Sequence, residues 1–180
     1  KDDYLIMQPS LQDLKDDFSA DEVYALGLFM SDGNVNRLKG KTQGILFANS
    51  ELHILKKIKN IFNSTSKIIK TPTTFTIKVN KAKSYEQFLK KFNVENKYSH
   101  NIDVNSTILS FSNASLLSFL SGFIDGDGFV RDGKNELVIS SISKDFLRKL
   151  GILLFDRFGV VSNLVLAGKE GDENGRIISK

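Results

Sequence analysis

Ala25-Leu-Gly-Leu-Phe-Met-Ser-Asp-Gly33 and Leu120-Ser-Gly-Phe-Ile-Asp-Gly-Asp-Gly128 are the two stretches that decide how this chain reads. They align at an offset of 95, and Val35 and Val130 each stand two residues past the closing glycine. A second match follows at an offset of 92, where Ile54, Leu55, Ile58, Ile61 and Phe62 correspond to Phe146, Leu147, Leu150, Leu153 and Leu154. Both sets have the i, i+3, i+4, i+7 spacing of a helical face turned to a core. Self-similarity at a fixed offset implies one folding unit written twice. The first copy carries three extra residues between Asn34 and Asn49, a stretch in which Arg37-Leu-Lys-Gly-Lys-Thr supplies the turn of a hairpin.

Outward from these anchors, the first copy reads as a helix over 21–31, strands over 34–38 and 44–48, a helix over 51–62, strands over 67–69 and 74–79, and a helix over 84–92. Ser19 with Glu22 three residues on predicts a capping box at the first helix, and Gly33 suits its C-terminal exit. The second copy repeats the order: a helix over 113–126, strands near Phe129 and over 137–140, a helix over 144–158, and strands over 162–166 and 176–179. The expected class is α+β, two pseudo-symmetric αββαββ(α) halves. Residues 1–20 form an N-terminal extension, 21–94 the first half, 95–112 a polar linker and 113–180 a second half that is short at its C-terminal side.

A chain of 180 residues with 41% hydrophobic composition can bury a core. A net charge of +4 and a pI near 9.2 are compatible with a nucleic-acid partner without demanding one. The absence of cysteine excludes disulfides, thiolate metal sites and cysteine nucleophiles, and the two histidines, His53 and His100, lie in unlike contexts that match neither a zinc site nor a serine-type triad. No apolar run approaches membrane-spanning length and no signal peptide is visible, so the sequence reads as intracellular, with no membrane partner.

Gly27 and Ser31, and again Gly122 and Gly126, stand four apart on one helical face, which lets two helix backbones approach closely. Paired side by side, those helices bring Asp32 and Asp127 to one end of a two-fold axis, where like charges require a cation or a proton between them. Asp125-Gly-Asp127-Gly128 also resembles the opening of a calcium loop with Glu136 twelfth, but Phe129 and Val130 replace the required ligand and glycine.

These two segments resemble the paired motif of the LAGLIDADG homing endonucleases, a likeness that extends over residues 20–180. The resemblance implies a DNA-binding β-saddle over a two-helix interface. It also implies metal binding at Asp32 and Asp127, with Mg²⁺ as the ion and Mn²⁺ able to replace it. The acidic position before the metal-binding one is Asp125 in the second copy but Met30 in the first, a departure from the pattern. A lysine after the third helix of a half approaches the cleavage centre in that family, and Lys97 occupies that region; a solvated linker charge is the alternative. No histidine is placed as a general base, so the nucleophile is expected to be water.

The implied partner is double-stranded DNA with a long target site, bound by a monomer through strands whose alternate residues face the bases. The candidates are Asn34, Asn36, Lys39, Lys41, Gln43, Thr74, Thr76, Lys78 and Asn80 in the first half and Arg131, Lys134 and Asn135 in the second. The solvated face of any antiparallel sheet alternates in the same way. Site-specific double-strand cleavage is the function implied; an RNA maturase and a cleavage-inactive binder of the same fold remain open. Many relatives sit inside inteins or introns, but Lys1 and Lys180 do not supply the terminal nucleophile and asparagine of self-splicing.

Overall fold

The computed structural model describes residues 13–98, 101–134, 136–166 and 175–179. His100 and Asn135 lie outside the described residues.

The first half runs α1 (Ala20–Asp32), β1 (Gly33–Leu38), β2 (Lys41–Asn49), α2 (Leu52–Ile61), β3 (Ile69–Lys70), β4 (Phe75–Val79) and α3 (Ala82–Lys91). A short helix, α4 (Ser106–Leu109), precedes the second half. That half comprises α5 (Asn113–Asp127), β5 (Gly128–Arg131), β6 (Glu136–Ser141), α6 (Lys144–Phe158), β7 (Ser162–Leu166) and β8 (Gly175–Ser179). Each half folds its strands into an antiparallel sheet of the same order, β1-β2-β4-β3 and β5-β6-β8-β7. The α+β architecture and the repeat are therefore as the sequence indicates. The first hairpin closes on Lys39 and Gly40, both at positive φ, the backbone of a two-residue type I′ turn.

The alternation of each sheet separates a core face from an outward face. In β2, Ile45 and Phe47 are buried against the helices while Leu46 and Ala48 lie between them on the other side. The register places Asn34, Leu46 and Lys78 in one outward row across β1, β2 and β4. A bulge between Asn36 and Arg37 leaves Gln43 extra in β2 and bends the hairpin, as such insertions do.

The most extensive contact between elements is α1 against α5. Every residue of α1 from Val23 to Met30 is buried, as befits a helix enclosed by both halves. One apolar cluster runs through the molecule from Val23 to Leu154, with Phe residues in edge and tilted contact from Phe47 through Phe62, Phe88, Phe92 and Phe111 to Phe119.

Gly33 ends α1 as expected, in extended conformation at φ −87° with its N–H bonded to Phe29 O. Two expectations need correction. Ser19 is the N-cap of α1 but its hydroxyl caps nothing, and Glu22 makes an ion pair with Lys91 at 2.6 Å. The stretch between the repeats is no plain tether, since Ile102, Val104, Ile108 and Phe111 are buried in the common core.

Candidate active site

Close packing of α1 and α5 depends on missing side chains. A Cβ added at Gly27 would collide with the Phe119 carbonyl and stand 2.7 Å from Phe123 N. One added at Gly122 would collide with the Tyr24 carbonyl and stand 2.9 Å from Leu28 N. At the end of the pair, a Cβ on Gly126 would stand 2.7 Å from Ser31 Cβ and 3.5 Å from Asp32 N. The Ser31 hydroxyl is turned back along its own helix to Leu28 O at 3.0 Å. The two helices thus end together, and each ends in an aspartate.

Asp32 and Asp127 share one electrostatic environment with Lys97. Asp127 is half-buried, and its pKa is pushed up to about 6, first by burial and then by the Asp32 carboxylate, with Lys97 opposing. Asp32, open to solvent on one side, is also raised by the desolvation it does undergo, against the pull of Lys97. Lys97 is 5% exposed. Burial pushes its ammonium down to about 8, opposed by Asp127 and Asp32. Its Nζ donates to the carbonyl of Gly33, the residue after Asp32, and stands 5.0 Å from the centre of the Phe29 ring. Lys97 is therefore a buried cation beneath the carboxylate pair and not a solvated linker charge.

Sequence reasoning missed two contacts that fix α5. Asn49, buried at the end of β2, donates from Nδ2 to Asp125 O at 2.7 Å and accepts the Glu51 N–H on Oδ1 at 2.8 Å. Ser141, 92 positions on, makes only the second of these bonds, accepting Ser143 N–H at 3.1 Å. The Tyr24 hydroxyl donates to Asp125 Oδ2 at 2.5 Å, and Lys57 Nζ lies 3.3 Å from the centre of the Tyr24 ring. Asp125 thus bonds across the helix pair, and Met30, its counterpart, has no charge to place. The one advance signal was the position of Asn49 just before a helix, where side-chain oxygens satisfy free N–H groups.

The proposed DNA-facing residues divide. Asn34, Lys39, Lys41, Gln43 and Asn80 are exposed; Asn36, Thr76 and Lys78 are half-exposed. Thr74 falls before β4 and is tied into a turn with Thr71, hydroxyl to hydroxyl at 2.9 Å. Arg131 pairs with the buried Glu136 at 3.0 Å, which also removes Glu136 from any calcium loop. Lys134 is exposed in the turn after β5.

Among the described residues no group of three or more His, Cys, Asp or Glu side chains could hold a metal. Two carboxylates still fit Mg²⁺, which is commonly held by one or two acids together with waters and substrate phosphates. Among the described residues no helix is long and apolar enough to cross a membrane.

Comparison with known proteins bears on the fold. Residues 114–179 match the model of the LAGLIDADG-like domain. The chain is 27% identical over 166 residues to a probable translation initiation factor IF-2 of Methanocaldococcus jannaschii, covering 89% of this chain and 13% of that protein. It is 34% identical over 76 residues to elongation factor 2 of Methanopyrus kandleri, covering 42% of this chain and 6% of that protein. A component of the A-type ATP synthase of the same organism is 26% identical over 149 residues, 83% of this chain and 14% of that one. The chain thus spans a small part of each relative. In structure it resembles the homing endonuclease I-DmoI in complex with DNA and Mn, with a TM-score of 0.66, 18% identity and 89% of both chains covered. It also resembles the N-terminal LAGLIDADG domain of DUF199/WhiA, with a TM-score of 0.57, 16% identity, and 91% of this chain and 77% of that one covered. Residues 114–179 thus match the LAGLIDADG-like domain, and the chain as a whole has the fold of I-DmoI.

Proposed function

We propose that this chain is a metal-dependent endonuclease that cuts both strands of a long DNA site. The observation that carries the reading is the convergence of Asp32 and Asp127 above the buried Lys97. The fold alone does not decide, since it occurs in WhiA as well as in I-DmoI. A binder has no use for a half-buried carboxylate set beside a second carboxylate and above a buried ammonium at the junction of its halves, because each adds a cost to folding. A site that must gather cations and a scissile phosphate does.

Asp32 and Asp127 would hold Mg²⁺ or Mn²⁺, which when bound neutralises phosphate charge and acidifies water. The Mn in the I-DmoI complex supports that choice. Lys97 fixes the exit of α1 through the Gly33 carbonyl and keeps positive charge where a phosphate would develop negative charge. Asn49 anchors the last turn of α5, so that Asp127 is presented from a fixed backbone. The exposed amides and amines of β1, β2 and β4 suit base edges and phosphates of the duplex, as the DNA in the I-DmoI complex also suggests.

Three relatives with unrelated names share a segment of this kind as a minor part of their length. That pattern supports a module carried in frame inside diverse hosts, as in an intein. Asp32→Asn and Asp127→Asn each test the centre: both should abolish double-strand cleavage while DNA binding in metal-free buffer persists. Wild-type cleavage by either variant would refute the assignment.

A further inference from the structure

The two sheets carry chemically different residues at equivalent register positions. In the first half the row nearest the aspartates is Asn34, Leu46 and Lys78, beginning two residues past Asp32. In the second half the row beginning two residues past Asp127 is Phe129, Val138 and, at its register position, Ile178. The amide and the ammonium of the first row are replaced by apolar residues in the second. Ile139, the neighbour of Val138, lies in the core cluster, so the pleat turns Phe129 to the opposite side of the sheet; Val138 on that side is itself buried, which leaves Phe129 as the apolar side chain offered to a ligand. Phe129 is 45% exposed, an aromatic ring open to a partner two residues past Asp127. The cation of this strand, Arg131, is engaged by Glu136, which leaves Lys134 in the turn for phosphate contact.

We propose that Phe129 is a specificity-determining residue that reads its half-site by apolar contact with the 5-methyl group of a thymine, whereas Asn34 reads the other half-site by hydrogen bonding. This rests on the DNA-cleavage reading above. The major-groove edge of thymine is distinguished by that methyl group, which a phenyl ring can contact and an amide does not select. An amide at the equivalent position selects donor and acceptor patterns, of which adenine offers the complementary pair. The target is therefore asymmetric next to the cut, and the protein binds it in one orientation.

The test selects duplexes from a randomised DNA library in magnesium-free buffer with chelator, using the full chain and its Phe129→Ala, Phe129→Asn and Asn34→Ala variants. The wild type should enrich a thymine at one position beside the centre, Phe129→Ala should lose that preference alone, and Asn34→Ala should relax the opposite half-site instead. Replacing the selected thymine by deoxyuridine removes only the methyl and should weaken wild-type binding about three- to tenfold, with no effect on Phe129→Ala. If Phe129→Ala does not fold, as judged by thermal melting, Phe129→Asn decides by shifting that position from thymine towards adenine. Duplexes enriched without a thymine that depends on Phe129, or a wild type indifferent to deoxyuridine, would overturn the proposal while leaving DNA recognition standing. Enrichment of no duplex by any form would overturn the DNA reading itself and this proposal with it.

Discussion

Asp127 has a proton affinity that ties folding to pH. Unfolded, it gives up its proton near 3.8; folded, near 6, because burial and Asp32 disfavour its charge. Between those values the folded chain holds more protons, so stability falls as pH rises through that window. In metal-free buffer the melting temperature should decline from about pH 4 to pH 6 on this account, and Asp127→Asn should remove the decline. At pH 7 the variant should be the more stable form by about 1 kcal/mol, a figure reduced from the full shift because the carboxylate is only half-buried. A steeper decline in Asp127→Asn than in wild type would contradict this. Lys97 gives the opposite slope at high pH: its proton is lost near 8 folded and 10.5 unfolded, so stability is regained as pH rises between them. Lys97→Met removes the ammonium and keeps most of the aliphatic length. It should slow single-turnover cleavage about a hundredfold, the scale of one lost electrostatic group, with DNA affinity in metal-free buffer unchanged. An unaltered rate would return Lys97 to a purely structural bond with Gly33.

Between elements, the pairing of α1 with α5 leaves no room for a single methyl group. Gly122→Ala would drive a Cβ into the Tyr24 carbonyl, and because the obstacle is backbone, relief requires the helices to part. Overpacking of this kind costs about 1–3 kcal/mol, and a displacement of about 1 Å at the aspartates can cost on the order of a hundredfold in rate. Melting temperature and cleavage should fall together in Gly122→Ala and both hold in Lys56→Leu, on the exposed side of α2; an unaffected Gly122→Ala would break the argument. Elements and repeat were legible in the sequence because helical periodicity survives in α2, α3 and α6, and α6 and β7 begin and end where their patterns do. The small-residue face of each central helix was legible for the same reason. What was not legible depends on how the halves meet. Tyr24 and Asp125 are 101 positions apart and bond only because α1 lies on α5. Ser19 and Glu22 have the spacing of a capping box, yet the carboxylate is captured by Lys91 from α3, a partner 69 positions away. The apolar residues of the inter-repeat stretch were hidden by the polar ones between them.

At the scale of the molecule, the halves are joined by more than the helix pair and the Asn49 bond to Asp125 O. The segment before α1 crosses to the second half, where Asp13 accepts the Asn113 N–H at 2.9 Å and Asp16 accepts the Ser112 N–H and, at 2.9 Å, the Ser115 hydroxyl. These carboxylates take two N–H groups at the start of α5, where the Ser112 hydroxyl caps Ser115 N–H at 3.2 Å. From the other side, the chain between the repeats contributes Ile102, Val104, Ile108 and Phe111 to the core, and Ser143, at the start of α6, donates to Ile102 O at 3.1 Å. Breaking the halves apart would expose the buried face of α1, the aromatic chain through Phe111 and the start of α5 at once. The halves should therefore unfold as one unit rather than as two domains. Urea titration monitored by amide hydrogen exchange separately in α2 and α6 should give coincident midpoints. Asp16→Ala should lower both midpoints together, by a stability loss of about 1 kcal/mol, the usual net value of an intramolecular hydrogen bond. A midpoint for α6 that falls while that of α2 stays in place would show that the second half unfolds on its own and that the aspartate pair is held together by a breakable contact between independent domains.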